Sequence, residues 1–272
     1  MKINNLNCSR ILGLDIKNMS HKLDDITLYY SSEGELEKKF TLKQNVISDL
    51  YIQYLNGYKP AKTSRITVRL TDQDNINGYF GSILGVDVEF DKDKYWTLSN
   101  KKKNQVILDT VHHVAILCAD KYGWDKSIFK EAYSKVLEAD FKYIFESKKK
   151  TSKDRKHKAT VEIKKDETCT TISVVFYDKS DNKIKTIELL KSFQHIMFYG
   201  RIIKKNKWFN NEEFGLYTNN EELIISASLN KNESKSIITE ESKNKEELEG
   251  LLRRITYQKL DSKKDIVEWM NK

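Results

Sequence analysis

Proline and glycine are scarce in this chain: Pro60 is the only proline, and 10 glycines are spread over 272 residues. So little glycine argues against a flexible linker of the Gly/Ser type, and a lone proline leaves few rigid turns. The phosphate-binding patterns G-x-x-x-x-G-K-[ST] and G-x-G-x-x-G are absent, as is the nucleophile elbow G-x-S-x-G. Nucleotide hydrolysis of the common type is therefore not expected, and no cofactor is indicated.

Cysteines and long apolar runs are also few. Cys8, Cys118 and Cys169 stand far apart, without the paired spacing of a zinc site or a disulfide framework. The longest apolar run, Val114–Ala119, is far shorter than the roughly 20 residues that cross a bilayer. The start, MKINNLNCSR, lacks the apolar stretch of a secretory signal. We therefore expect reduced thiols, a cytoplasmic protein without a membrane partner, and no metal site.

Positive charge is abundant, but it is local. Between Lys148 and Lys165, nine lysine or arginine side chains stand against two carboxylates. This short stretch holds a surplus of seven, out of a formal net charge of +8 for the whole chain. The remaining residues are nearly balanced, so the sequence indicates one basic segment and not a broad basic face.

The order of hydrophobic patterns predicts an α+β fold, because runs of strands are separated from runs of helices. We expect antiparallel, strand-rich N-terminal and C-terminal halves on either side of a central two-helix unit, followed by short C-terminal helices. The expected parts are strands at 1–97, the helical pair at 98–147, an antiparallel meander packed on the helices at 148–230, and a polar linker with C-terminal helices at 231–272. The first three parts are also compatible with one continuous domain to residue 230.

The N-terminal part contains both alternating and helical patterns. Glu33-Gly34 has the composition of a hairpin turn between DITLYYSS and ELEKKFTL, which are predicted as strands. The helical spacing of Val46, Leu50 and Tyr54 predicts a helix over 45–55. Alternating apolar residues in SRITVRL and GVDVEF predict half-buried strands of an antiparallel sheet.

The central pair has the clearest helical pattern. An apolar stripe predicts a first helix over 104–122, and Gly123 suits a left-handed cap at its end. Asp125 can cap a second helix, predicted over 126–145, only two residues later. The lysines at 148–150 would then meet the negative end of the dipole of that helix.

The basic connector is the first candidate binding site. Its side chains can neutralise phosphates or steer an acidic protein partner. A second basic patch, GRIIKKNKWF, adds aromatic residues, and a fold that brings the two patches together would favour nucleic acid as the partner. The candidate contact residues are Lys148, Lys149, Lys150, Lys153, Arg155, Lys156, Lys158, Arg201, Lys204, Lys205, Lys207 and Trp208.

Two patterns raise the question of catalysis. VEIK contains the E-x-K pattern of many metal-dependent nucleases, and strand alternation places Glu162 and Lys164 on one side. An ordinary amphipathic strand with its charges outward has the same pattern. His112 and His113 are adjacent on a helix and point about 100° apart, so they cannot share a metal as an i, i+4 pair can. We expect one histidine beside the core and the other in solvent.

A run of acidic residues has the chemistry that a hard cation binds. Asp87, Glu89, Asp91 and Asp93 alternate along a predicted strand. A calcium loop that starts at Asp87 would place Lys92 where such loops need glycine. We therefore expect a solvated strand face.

Three functions fit these patterns. The first is a non-enzymatic protein-recognition module, such as an immunity-type inhibitor or a subunit of an assembly, because the domain is rich in Tyr and Trp but has no convincing catalytic set. The second is a nucleic-acid-binding protein that uses the basic connector at 148–165. The third is a metal-dependent nuclease built around Glu162 and Lys164.

Overall fold

The structure is a computed structural model of the chain, and it describes residues 22–30, 34–192, 205–217 and 223–238. Its helices and sheets confirm the α+β class. The elements are β1 Asp25–Tyr29, α1 Glu35–Tyr54, β2 Arg65–Thr71, β3 Asn75–Phe80, β4 Ile83–Glu89, α2 Lys92–Thr97, α3 Asn100–Tyr122, α4 Lys126–Glu138, β5 Tyr143–Glu146, β6 Lys150–Thr151, β7 His157–Lys165, β8 Thr170–Asp178, β9 Lys183–Ser192, β10 Asn206–Trp208, β11 Glu213–Tyr217, β12 Leu223–Ser228 and β13 Ser234–Ile238.

The first sheet has the strand order β1-β2-β4-β3. β1 pairs with β2 and β2 with β4 in parallel, whereas β3 and β4 pair antiparallel. The predicted alternation is present, since Ile66, Val68 and Leu70 of β2 are buried on one face. Alternation does not determine strand direction, however, and α1 provides the crossover that parallel β1 and β2 require. The pairing in this sheet is therefore mixed.

Helix α1 replaces a predicted hairpin. The turn predicted at Glu33-Gly34 is wrong, because residues 35–54 form one helix of 20 residues that begins immediately after Gly34. The buried side chains of Phe40, Ile47 and Leu50 follow helical spacing, and Glu35 pairs with Lys39 one turn later. The helix predicted over 45–55 is the second half of α1.

The central two-helix unit is confirmed by α3 and α4. Gly123 has a φ of 68°, and the Asp125 carboxylate accepts a hydrogen bond of 2.9 Å from the amide of Ser127. Helix α4 ends at Glu138, well before the predicted end at 145, because Asp140 and Phe141 adopt φ values of 47° and 58°. The lysines at 148–150 lie beyond β5, so the helix-dipole explanation of them is wrong.

Two further sheets form the C-terminal half. The second sheet has the order β5-β7-β8-β9 with β6 paired to β7, and the third has the order β10-β11-β12-β13. Their strand pairs are antiparallel, as expected for a meander. Val161 and Val174 are fully buried on one face of the second sheet, and the ring of Phe176 lies 5.7 Å from that of Trp208 in β10. The two sheets therefore pack together through this apolar face.

Two predictions concern the C-terminal end of the chain. Residues 234–238 were expected in a polar linker, but they form β13, which pairs with β12. The helices predicted from residue 244 onward lie outside the described residues. Within the described ranges, no helix combines the length and apolar character that crossing a bilayer requires.

Candidate functional site

The basic connector is an ordered β-hairpin made of β6, a turn and β7. The Asp154 carboxylate holds the turn: it accepts hydrogen bonds from the Ser152 hydroxyl at 2.6 Å and from the Lys156 amide at 3.2 Å. These bonds lower the pKa of the Asp154 carboxyl. Arg155 takes the left-handed conformation, with a φ of 60°, that closes the turn. The exposed residues at 153–156 thus project from a fixed tip.

The hairpin packs against the second basic patch. The indole Nε1 of Trp208 donates to the carbonyl of Lys150 at 2.8 Å, and the Lys150 ammonium donates to the carbonyl of Asn206. At the tip, the amide of Asp154 donates to the side chain of Asn211 at 3.2 Å. The structure thus brings the connector and the described part of the second patch together. Arg201 and Lys204, two predicted contact residues, lie outside the described residues.

The predicted basic residues do not all remain available. Lys149 and Lys158 both contact the Asp181 carboxylate, at 3.0 and 2.5 Å, and these contacts lower the pKa of Asp181. Lys150 is engaged with the carbonyl of Asn206. In the described part of the chain, four exposed basic side chains of the connector have no ion-pair partner: Lys148, Lys153, Arg155 and Lys156.

Trp208 is a structural anchor for the hairpin. The residue is 8% exposed, and the centre of its ring lies 5.4 Å from that of Phe214 and 5.7 Å from that of Phe176. The prediction that Trp208 contacts a partner directly is therefore not supported by its burial. Phe209 and Tyr217 are half-buried, and they alternate with Trp208 and Leu216 at the ends of β10 and β11, so they lie on the other face of the third sheet. The Lys207 ammonium lies 5.2 and 4.9 Å from the centres of their rings.

Glu162 and Lys164 form an ion pair on β7, with Oε1 and Nζ 2.8 Å apart. Glu162 is buried, and its register neighbours are Glu146 on β5 and Ser173 on β8. In the ranges that the structure describes, no group of three or more His, Cys, Asp or Glu side chains could hold a metal ion. The nuclease function stays a prediction from the sequence pattern.

The two histidines diverge as the helical spacing predicts. The ring of His112 is half-buried, and its Nδ1 lies 3.0 Å from the Tyr51 hydroxyl. The exposed ring of His113 instead contacts the carboxylate of Asp74 at 2.6 Å. Burial lowers the pKa of His112. The two rings therefore serve separate contacts.

The acidic run is split between two elements. Asp87 and Glu89 belong to β4, whereas Asp91 caps α2 by accepting a hydrogen bond of 2.9 Å from the amide of Lys94. The expectation of one continuous strand through Asp93 is wrong, because the chain turns into a helix at Asp91. Asp87 lies beside Arg69, which donates to both of its oxygens at 2.7 and 2.8 Å and lowers the pKa of that carboxyl.

A cleft of about 370 Å³ lies between α1 and the edge of the second sheet, and sequence reasoning missed it. Lys43 of α1 contacts Glu167 on the β7–β8 turn and donates to Asn104 at 3.2 Å. Lys165 of β7 contacts Asp49 of α1. Both lysines are buried, and burial lowers the pKa of Lys165 against the opposing effect of Asp49. The signal was present: each lysine occupies an inward position in its element.

A scan against protein-family models, a search of curated proteins and a search of solved structures each found no match to this chain.

Proposed function

We propose that this protein is a non-enzymatic, cytoplasmic nucleic-acid-binding protein, and that the tip of the β6–β7 hairpin together with β10 forms its contact surface. The observation that carries the proposal is the packing of the hairpin on β10. Trp208 and Asn211 bond to the hairpin, and Lys153, Arg155 and Lys156 project from the fixed tip without ion-pair partners in the described part of the chain.

Phosphates are the ligand that this surface suits. Each phosphate that a lysine or arginine neutralises releases condensed counterions, which makes the affinity fall as salt increases. A fixed turn loses less conformational entropy on binding than a flexible arm, so its charges contribute more of their interaction energy to affinity. Fixed spacing on a hairpin also holds the charges in one register along a strand of phosphates.

Aromatic residues at the ends of β10 and β11 supply the other component of the proposed nucleic-acid surface. Phe209 and Tyr217 are half-buried, and the ammonium of Lys207 lies close to both rings. Unpaired bases stack on aromatic side chains at about 1–3 kcal/mol per base. The surface therefore favours single-stranded DNA or RNA over a duplex, whose bases are already stacked.

The test is binding to labelled single-stranded and duplex DNA and RNA over a salt series. The variant Lys153→Gln/Arg155→Gln/Lys156→Gln removes three tip charges without touching Asp154. We expect its affinity at low salt to fall at least about tenfold, and the slope of log affinity against log salt to decrease by about 2–3. The matched control, Lys94→Gln/Lys102→Gln/Lys130→Gln, removes three exposed charges from α2, α3 and α4.

The control variant should bind as the parent protein does. Equal loss in both triple variants would show that only net charge matters, and it would contradict a site at the hairpin. An unchanged affinity and slope in the tip variant, or no binding to any of the four nucleic acids at low salt, would overturn the proposal.

A second candidate function, protein recognition, is favoured by one observation. Phe80 stands at the end of β3, next to the turn at Gly81, and the residue is 86% exposed. Aromatic side chains that fill a pocket on a partner often carry much of the binding energy of an interface. The exposed ring at the β3–β4 hairpin would fit an apolar pocket on a partner. Such a partner could be a toxin bound by an immunity-type inhibitor or another subunit of an assembly.

This candidate is tested by co-purification from the native host, with the parent protein and Phe80→Ser compared side by side. A partner held by the parent protein and lost by Phe80→Ser would support recognition through this hairpin. A partner that stays bound to Phe80→Ser, or the absence of a stable partner, would contradict it.

A further inference from the structure

The cleft beside α1 is large enough to hold a small molecule. Its volume of about 370 Å³ lies at the lower end of the range of ligand pockets, about 300–1,000 Å³. Its wall combines apolar side chains with several charged ones, among them Lys43, Lys165 and Glu167. The apolar part of the wall is formed by Val46, Ile47, Phe141, Tyr143 and Ile144.

The buried ammonium of Lys43 requires a negative counter-charge. Its residue is 6% exposed, and a buried ammonium without a counter-charge costs several kcal/mol. In the structure the counter-charge is the carboxylate of Glu167, and Asn104 accepts a further hydrogen bond from the same ammonium. Glu167 belongs to the turn between β7 and β8, and its side chain is 51% exposed. The counter-charge of buried Lys43 is therefore the carboxylate of a residue on the surface.

The other buried pair differs in this respect. Lys165, whose side chain is 1% exposed, is held by Asp49 within the rigid helix α1. Asp166 is also committed, because its carboxylate accepts hydrogen bonds from the amides of Thr168 and Cys169 at 2.6 and 2.8 Å. Glu167 differs from both Asp49 and Asp166. It lies on an exposed turn, and no hydrogen bond in the described part of the chain fixes its carboxylate to that turn.

We infer that the cleft binds a small organic anion with an apolar body, whose carboxylate, sulfonate or phosphate takes the place of Glu167 at Lys43. The exchange keeps the ammonium paired throughout, so it avoids the cost of an isolated buried charge. The apolar body of the ligand would cover the wall formed by residues 46–47 and 141–144. This inference does not depend on the nucleic-acid proposal.

The experiment uses two dyes of similar shape in the full chain. The probe 8-anilinonaphthalene-1-sulfonate carries a negative charge, and N-phenyl-1-naphthylamine does not. We expect saturable binding of the sulfonate. In Glu167→Gln, which removes the competing carboxylate, its affinity should rise about five- to tenfold, while that of the neutral dye should change less than twofold.

Two further variants make the result decisive. Glu131→Gln removes a carboxylate that pairs with exposed Lys135 on α4, and it should leave the affinity for both dyes unchanged. Lys43→Met should remove the preference for the sulfonate. Lys43→Met and Glu167→Gln both alter a buried pair, so circular dichroism and urea denaturation first establish that each is folded under the conditions of the assay. Glu167→Gln is the primary variant because it keeps the Lys43 ammonium in the cleft. Equal affinity of Glu167→Gln and the parent protein for the sulfonate would overturn the inference.

Discussion

The basic residues of this protein occupy two contrasting environments. Lys43 and Lys165 are buried at the junction of α1 with the second sheet, and each contacts one carboxylate. Lys153, Arg155 and Lys156 stand exposed on a hairpin tip, with no ion-pair partner in the ranges that the structure describes. Each ammonium of the first group is paired with a carboxylate of the fold, whereas the charges of the second group are available to a partner.

This contrast shows that a count of charges in the sequence does not measure binding capacity. The stretch from Lys148 to Lys165 contains both kinds, since Lys165 is buried and Lys149 and Lys158 share Asp181. An exposed pair contributes little to stability, because water and salt screen it. A buried pair contributes much more, in the sense that removing one partner leaves an uncompensated charge. Each of the following predictions alters one of these environments.

The largest expected effect comes from breaking a buried pair. Asp49→Asn leaves the Lys165 ammonium buried without its counter-charge, and the free energy of unfolding should fall by about 3–5 kcal/mol. Urea denaturation measures the change. The matched control is Asp120→Asn, since Asp120 pairs with Lys126 at the surface, and its effect should stay below about 1 kcal/mol. Equal effects of the two variants would contradict the assignment of Lys165 to the buried group.

A smaller effect is expected from loosening the hairpin while its charges are kept. Trp208→Phe retains an aromatic ring but removes the hydrogen bond to the carbonyl of Lys150. The free energy of unfolding should fall by about 1–2 kcal/mol, and affinity for single-stranded nucleic acid should fall severalfold although no exposed charge has changed. Denaturation and binding isotherms are measured on the same sample. Weaker stability with unchanged affinity would show that the tip binds without its anchor.

Removing the carboxylate that two lysines share should increase the affinity for nucleic acid. Asp181→Asn releases Lys149 and Lys158 from their shared carboxylate and moves them to the available group. Affinity for nucleic acid at low salt should rise by about threefold or more, and the salt dependence should become steeper. As a control, Asp178→Asn removes a carboxylate whose bonds lie within its own turn, to Ser180 and Asn182. Equal gains in both variants would mean that only net charge had been measured.

The smallest expected effect is on the pH dependence of stability. Burial lowers the pKa of Lys165 below its value in the unfolded chain, about 10.4. Between the two values the unfolded chain holds a proton that the folded protein has released, so raising the pH favours folding. The difference in unfolding free energy between the parent protein and Lys165→Met should therefore grow in favour of the parent as pH rises toward 10. Urea midpoints at pH 7, 8.5 and 9.5 measure it, and a constant difference would contradict the shift.

Local patterns in the sequence predicted part of this fold. The stripe on α3 and the caps at Gly123 and Asp125 depend on neighbouring residues, and the structure confirms them. The direction of β1, β2 and β4 depends on how α1 crosses over, which alternation does not encode. The early end of α4 at Glu138 reflects left-handed residues that carry no glycine signal.

The candidate sites, like the fold, could be predicted from the sequence only where they depend on neighbouring residues. The hairpin charges were visible in the sequence, but the bond from Trp208 to Lys150 that fixes the hairpin spans 58 residues. The pairs that line the cleft join residues 124 and 116 positions apart, a separation that no local pattern reveals. Lys165 did carry a local signal, because it continues the inward-facing series of Val161 and Ile163 on β7. A lysine in that position indicates a buried partner elsewhere in the chain.

The pairs Lys43–Glu167 and Lys165–Asp49 also bear on how this chain can be divided. Both run from α1 to the region around the end of β7. A fragment cut after α4 would retain Lys43 and Asp49 but lose both of their ionic partners, and the complementary fragment would expose an ammonium and the apolar sheet around it. A truncated chain should therefore keep α1 and the end of β7 together, and swapping either half into another protein would require both pairs to be redesigned together.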